Sequence, residues 1–156
     1  MKTLIKIVKI AAVCLVLALI VIQFFGIDKT NVPIVQADTL ESAVSVPDNV
    51  AAILNRSCSD CHSNKSVYPW YASVQPFGWF LQNHINDGRK ELNFSQFNTY
   101  VARRKGKKLE EVCEQVQKKE MPLPSYLWIH REAALSDAEI KTLCDWANTE
   151  KAKIGE

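Results

Sequence analysis

From Ile10 to Ile27 the chain reads "IAAVCLVLALIVIQFFGI", 18 residues with no charge and with Gln23 as the one strongly polar side chain. At a rise of about 1.5 Å per residue, a helix of this length matches a bilayer core of about 30 Å. A small globular core cannot absorb such a run, so the first 27 residues stand apart from the rest. Lys2, Lys6 and Lys9 precede the run, whereas Asp28 and Lys29 cancel after it. That asymmetry predicts a cytoplasmic amino terminus and an outward-facing remainder. No small-x-small cleavage site stands near Phe25, and the "VQA" ending at Ala37 comes about ten residues too late. The expectation is an uncleaved single-pass anchor over residues 1–27, with a signal sequence as the alternative. Both send the chain from residue 30 onward across the membrane. The expected location is therefore the cell membrane, with the C-terminal part facing the periplasm or cell exterior. Cys14, inside the run, reads as a small lipid-facing residue.

Without the three leading lysines the chain carries 16 Lys and Arg against 17 Asp and Glu, a net charge of −1. This balance argues against a nucleic-acid surface, which needs a basic stripe. The one basic run, "ARRKGKK" (Ala102–Lys108), reads as a solvated turn between helices, with a docking patch for an acidic partner as the alternative. Residues 28–46 lack a sustained helical pattern and read as a tether. From 47 to 150 the chain reads as helical, with no convincing alternating strand.

Pro47 opens the first helix of that domain, "PDNVAAILNRSC", striped by Val50, Ile53 and Leu54. "PFGWFLQNHIND" follows, with Gly88 as its expected C-terminal stop. "SQFNTYVARRK" predicts a third helix ending near Gly106. "KKLEEVCEQVQKK" predicts a fourth, with Leu109, Val112, Cys113 and Val116 on one face, ending just before Met121-Pro122. Ser136 and Glu139 form a capping box for the last helix, Leu135 is placed to staple onto Ile140, and Ile140, Leu143, Cys144 and Ala147 share a face. The predicted fold class is all-α: a small helical domain of about 110 residues behind one transmembrane helix, marginal in size for a self-sufficient core. A large apolar cofactor would complete it. Cys113 and Cys144 are expected as two small buried residues on unrelated patches. Their pairing in an oxidising compartment is the alternative.

Cys58-Ser59-Asp60-Cys61-His62 has the spacing of covalent haem attachment. Two thiols one helical turn apart reach the two vinyl groups on one porphyrin edge, and the adjacent imidazole of His62 comes under the iron as proximal ligand. Covalent bonds also keep haem in a domain too small to retain it by burial. Three other readings are weaker. Structural zinc wants a second regularly spaced ligand pair, which Cys113 and Cys144, standing singly, do not form. A dithiol redox couple wants a strand–turn–helix setting. A plain disulfide or inert thiols are the remaining option. For the sixth iron ligand the expectation is Met121, in "KKEMPLPSY", where a proline-stiffened loop frees it from helix packing and a thioether raises the reduction potential. His84 is the alternative, although its place on a face with Phe77, Leu81 and Ile85 suits a core histidine. His130 is a weaker one. His130, Arg89 and Trp79 are further expected as contacts to a haem propionate.

On the stretches "CSDCHSN", "YPWY", "HINDGRKELNFSQF", "MPLPSY" and "LSDAEIKTLCDWA", the chain resembles c-type cytochromes and, more narrowly, the haem-binding domain family of bacterial envelope proteins. The resemblance implies a cytochrome c-like helical fold, haem c attached at Cys58 and Cys61, iron held by His62, and less firmly Met121. It names no redox partner. The expected function is that of a membrane-anchored one-electron carrier rather than a catalyst. A peroxidase-like enzyme and a haem-based sensor with a displaceable sixth ligand are the alternatives.

Overall fold

The computed structural model describes residues 1–154. Among these residues there are no strands, and eight α-helices follow one another: α1 (Lys2–Ile22), α2 (Leu40–Ala43), α3 (Asp48–Ser57), α4 (Ser59–His62), α5 (Phe77–Glu91), α6 (Ala102–Gln117), α7 (Pro124–Leu127) and α8 (Asp137–Ile154). Short 3-10 segments lie between several of them. The fold is all-α, as expected. The described residues form two compact units, one of residues 1–30 with 67–86 and the other of residues 31–66 with 87–154.

In the first unit α1 is long and apolar enough to cross a membrane, and none of its residues is buried. Its C-terminal end is tied to the segment that leads into α5. Gln23 and Gln75 exchange two hydrogen bonds, Gln23 Nε2 donating to the Gln75 carbonyl at 3.0 Å and the Gln75 N–H donating to Gln23 Oε1 at 2.9 Å. The Trp79 indole N–H donates to the Phe25 carbonyl at 2.8 Å, and Lys29 Nζ to Ser73 Oγ at 2.5 Å.

The second unit holds the main core. Most of the stripe residues read from the sequence are buried: Val50, Ile53 and Leu54 on α3; Leu109, Cys113 and Val116 on α6; Leu143, Cys144 and Ala147 on α8, with Val112 and Ile140 partly buried against them. Each fully buried leucine or isoleucine of this set contributes about 2 kcal/mol of transfer free energy. α6 and α8 run antiparallel along one another, since Glu110 pairs with Lys151 at 3.0 Å while Cys113 meets Cys144. Their contact is covalent. Cys113 and Cys144 form a disulfide with their Cα atoms 4.6 Å apart. This corrects the expectation of two unrelated patches: each apolar stripe was legible by itself, but their mutual register was not.

Three further differences concern boundaries. Residues 36–44, expected within a tether, form a 3-10 turn and α2, and their Thr39, Leu40 and Val44 are buried. Trp146 of α8 donates its indole N–H to the Ser45 carbonyl at 2.8 Å, and buried Glu150 accepts the Ser45 N–H at 3.2 Å. Two isolated apolar residues could not announce this docking locally. Secondly, "SQFNTYVARRK" is not one helix. A 3-10 segment covers Phe94–Thr99, and α6 starts afresh at Ala102 and runs straight through Gly106. The basic run is thus the first two turns of α6 rather than a loop. Thirdly, α6 stops at Gln117, short of Met121. Lys119 takes the left-handed conformation (φ 56°), and the N–H groups of Glu120 and Met121 reach back to the Gln115 carbonyl at 3.0 and 3.3 Å. This closure satisfies helix-end carbonyls before the proline is reached.

The capping box at α8 forms as read. The Ser136 N–H donates to Glu139 Oε2 at 2.8 Å, and the Glu139 N–H to Ser136 Oγ at 3.3 Å. Leu135 and Ile140 both pack on the core. Arg56 of α3 adds an ion pair to Glu139 at 2.7 Å. The Ser136 backbone hydrogen bond, with those from Arg56 and the Ser136 hydroxyl, holds the Glu139 carboxyl down at about 2 against an ordinary 4.5. A depressed carboxyl stabilises the fold above its unfolded pKa, and that contribution is lost as pH falls from about 4.5 through about 2. Glu139→Gln is expected to destabilise the protein by about 1 kcal/mol at pH 7. Urea unfolding at pH 7 and at pH 2.5 checks this, the difference from wild type shrinking at the lower pH.

Candidate functional site

α3 ends at Ser57, and Cys58 (φ −129°, ψ −37°) breaks the helix before α4 begins. The N–H groups of Cys61 and His62 both donate back to the Cys58 carbonyl, at 3.2 and 3.0 Å. Cys58, Cys61 and His62 are therefore arranged around a single helical turn. The loop that follows is held by buried polar contacts. Asn64 receives a hydrogen bond from Asn93 Nδ2 at 2.9 Å and donates its N–H to Ser95 Oγ at 3.0 Å. Arg89 donates from Nε to the Ser63 carbonyl at 2.9 Å and from Nη2 to Asn31 Oδ1 and Ser66 Oγ, at 2.8 and 3.0 Å. Arg89, expected at a propionate, thus spends these donors on fixing the loop after His62. Trp79, the other such expectation, has its indole N–H on the Phe25 carbonyl. Asp60, between the two cysteines, accepts the Tyr126 hydroxyl at 2.9 Å.

Gly88 is not a helix stop, because α5 continues to Glu91. Its hydrogen faces the pentapeptide, and a Cβ there would lie 2.8 Å from the Cys61 carbonyl oxygen and 3.2 Å from Cys61 Cβ. The glycine serves close approach of two backbones, not chain reversal. That approach brings Leu92, just beyond α5, to His62. His62 Nδ1 lies 3.0 Å from the Leu92 carbonyl oxygen. A carbonyl only accepts, so Nδ1 carries the proton and Nε2 presents its lone pair. Burial lowers the His62 pKa, with backbone hydrogen bonds at Leu92 and Gly88 opposing it. The result is a neutral, oriented imidazole, the form that binds a metal.

The two thiols of the pentapeptide are not bonded to each other. Burial pushes Cys58 up to about 12, helped by Cys61 and opposed by Arg56. Burial and Asp60 push Cys61 up to about 11, with Arg89 opposing. Redox-active dithiols work through depressed thiol pKa values, so these shifts run against a thioredoxin-like role.

A cavity of about 390 Å³ opens beside this turn, within the size range of cofactor sites. Cys58, His62 and Met121 all line it. Leu54, Leu92, Phe94, Val112, Val116 and Pro122 supply apolar wall, and Glu91, Lys108, Glu111 and Gln115 supply polar lining. Lys108 Nζ lies 2.6 Å from Glu111 and 3.3 Å from Glu91, with its side chain 12% exposed. Burial pulls the Lys108 pKa down, but hydrogen bonds and charge from both glutamates outweigh this and leave it raised. Ser57 also lines the cavity, and its buried hydroxyl oxygen has no hydrogen-bond partner. An orphaned buried hydroxyl is costly unless something in the cavity pairs with it.

These residues fit a haem: a thiol, an oriented imidazole nitrogen and a thioether on one largely apolar cavity. Cys61, on the same turn, is not among the lining residues. His84 belongs to the first unit, where its Nδ1 bonds the Phe80 carbonyl at 2.8 Å and its ring lies 4.3 Å from the Phe80 ring. His130 stacks on Tyr126 at 4.2 Å, with Nδ1 3.2 Å from Glu132. Among the described residues no three His, Cys, Asp or Glu side chains converge as a metal site. Three features escaped the sequence reading: Ser57, the Leu92 carbonyl, and the Lys108 pair with Glu91 and Glu111. Only Ser57 sat beside the motif, and nothing local marks a serine as unpaired.

The sequence profile described as "Haem-binding domain" matches residues 17–149, most of the chain. No curated protein and no solved structure matches it. With the pentapeptide, the oriented imidazole and the apolar cavity already in place, that match decides the assignment: the chain belongs to the haem-binding domain family.

Proposed function

We propose that this protein is a membrane-anchored c-type cytochrome that transfers single electrons outside the cytoplasmic membrane. One observation carries the reading: Cys58, His62 and Met121 line a single apolar cavity in which His62 Nε2 is left as a ligand nitrogen. Bound haem would supply an iron that gains and loses a single electron. Cys58 and Cys61 would hold it through thioether bonds, formed when their S–H groups add across the two vinyl groups. His62 Nε2 and the Met121 thioether would be the iron's protein ligands, and a thioether ligand would raise the reduction potential. The apolar wall excludes water, and Lys108 with its two glutamates faces the polar edge. The membrane span of α1 and the Cys113–Cys144 disulfide both support a location outside the cytoplasm.

The test is protein matured in cells that possess haem-attachment machinery. Haem is expected to stay with the polypeptide through denaturation and acid-acetone extraction, and to be released from a Cys58→Ala, Cys61→Ala variant. Release from correctly exported wild type would leave haem binding but remove the c-type assignment. Met121→Ala is expected to abolish the weak sulfur-to-ferric-iron absorption at the red end of the visible spectrum. An unchanged band would move the sixth ligand elsewhere, with His84 the next to replace. A five-coordinate ferrous haem in wild type would shift the reading to a peroxidase-like enzyme or a sensor.

A further inference from the structure

The first unit exposes a set of large apolar side chains to solvent. Trp70 is 76% exposed, Phe77 60% and Phe80 56%, while Phe24 and Phe25, just past α1, are 83% and 63% exposed. Several large apolar side chains exposed within one small unit point to an interaction surface. Their position says what covers them. The Gln23–Gln75 pair, the Trp79–Phe25 bond and the Lys29–Ser73 bond tie residues 73–79 to residues 23–29 at three separate points. α1 has 21 residues, and at about 1.5 Å each, with the long side chains of Lys2, Lys6 and Lys9 reaching back to the inner headgroups, it spans the hydrocarbon core and delivers Gln23 to the outer boundary. The bonded segment is thereby held at the depth of the lipid headgroups. Trp, with an apolar ring and an N–H donor, is enriched at that depth.

We infer that residues 70–80 form a lipid-interface platform: Trp70, Phe77 and Phe80 insert among the headgroups and upper acyl chains of the outer leaflet, beside the exit of α1. This rests on the reading of α1 as a membrane span. The Gln23 amide, a polar group at the end of an apolar run, then has a definite role. It closes on the Gln75 backbone, so that neither is left unpaired at the edge of the bilayer. The platform gives the anchor a second point of attachment and restrains its rotation about the α1 axis.

The experiment uses the full haem-loaded chain in vesicles of phosphatidylcholine and phosphatidylglycerol. A photoreactive benzoyl-phenylalanine replaces Trp70, Phe77 or, as control, Asn86. Asn86 is exposed and lies half a turn around α5 from Phe77 at about 100° per residue. After illumination, mass spectrometry is expected to find lipid adducts at positions 70 and 77 at several-fold the yield at position 86. An alkaline carbonate wash of the same vesicles reports on α1 separately. Protein that survives the wash but gives no lipid adducts, or adducts only to protein, at 70 and 77 overturns the platform and leaves the anchor standing. Protein released by the wash overturns the anchor and the platform with it.

Discussion

Replacing Cys113 and Cys144 together by alanine is expected to lower the unfolding free energy by about 3–4 kcal/mol, the chain-entropy value for releasing a loop of this size. The two residues are 31 positions apart, and both are buried between α6 and α8. The double replacement leaves no unpaired thiol, and the small residual cavity adds to the loss. Urea unfolding of oxidised wild type, wild type reduced with a small dithiol, and the variant measures it. Reduced wild type and the variant are expected to agree within about 1 kcal/mol. A variant as stable as oxidised wild type would mean that the bond contributes nothing to the fold. The effect extends to the cavity, because α6 supplies Val112 and Val116 to its wall and leads through its closing turn to Met121. Loss of the disulfide is therefore also expected to weaken the absorption assigned to sulfur on iron.

The second large effect comes from two glycines that look alike in sequence and are opposed in structure. Both Gly88 and Gly106 lie inside helices, where alanine gains about 1 kcal/mol by propensity. At Gly106 the nearest atom to an added Cβ is Lys151 Cγ at 3.8 Å, ordinary contact with a flexible side chain. Gly106→Ala is expected to stabilise by up to about 1 kcal/mol. At Gly88 the added Cβ meets the Cys61 backbone at 2.8 Å, which cannot yield without moving α4 or α5. Overpacking of this kind costs about 1–3 kcal/mol, and Gly88→Val more than Gly88→Ala. The displacement also pulls Leu92 from His62, since the Leu92 N–H is bonded to the Gly88 carbonyl at 2.9 Å and its own carbonyl holds His62 Nδ1. The Gly88 variants are expected to show a lower yield of attached haem in exported protein, whereas Gly106→Ala loads normally. Equal loading and stability in Gly88→Val would mean that α4 and α5 are not held as closely as this geometry requires.

What could be read from the residues alone was what is decided within a few turns of chain. The apolar run of α1, the stripes on α3, α6 and α8, and the Ser136–Glu139 capping box depend on neighbours one to four positions away. So does the placing of two thiols and an imidazole on one turn at Cys58, Cys61 and His62. Signals that depend on distant partners were silent or misleading. Gly88 looks like a helix stop when its partner, 27 positions earlier, is out of sight. Leu40 and Val44 look like linker residues until Trp146 and Glu150 come to Ser45.

The sequence alone therefore determined the all-α class, the apolar N-terminal helix and the placing of Cys58, Cys61 and His62 around one turn, because hydrophobic periodicity, capping and motif spacing are local properties. Only the tertiary structure decided that Cys113 bonds Cys144, that the Leu92 carbonyl sets the tautomer of His62, and that Met121 shares a cavity with both Cys58 and His62. Each of these joins residues roughly 30 or more positions apart. Such contacts follow from how helices pack against one another, and packing is set by the whole core at once rather than by any one stretch.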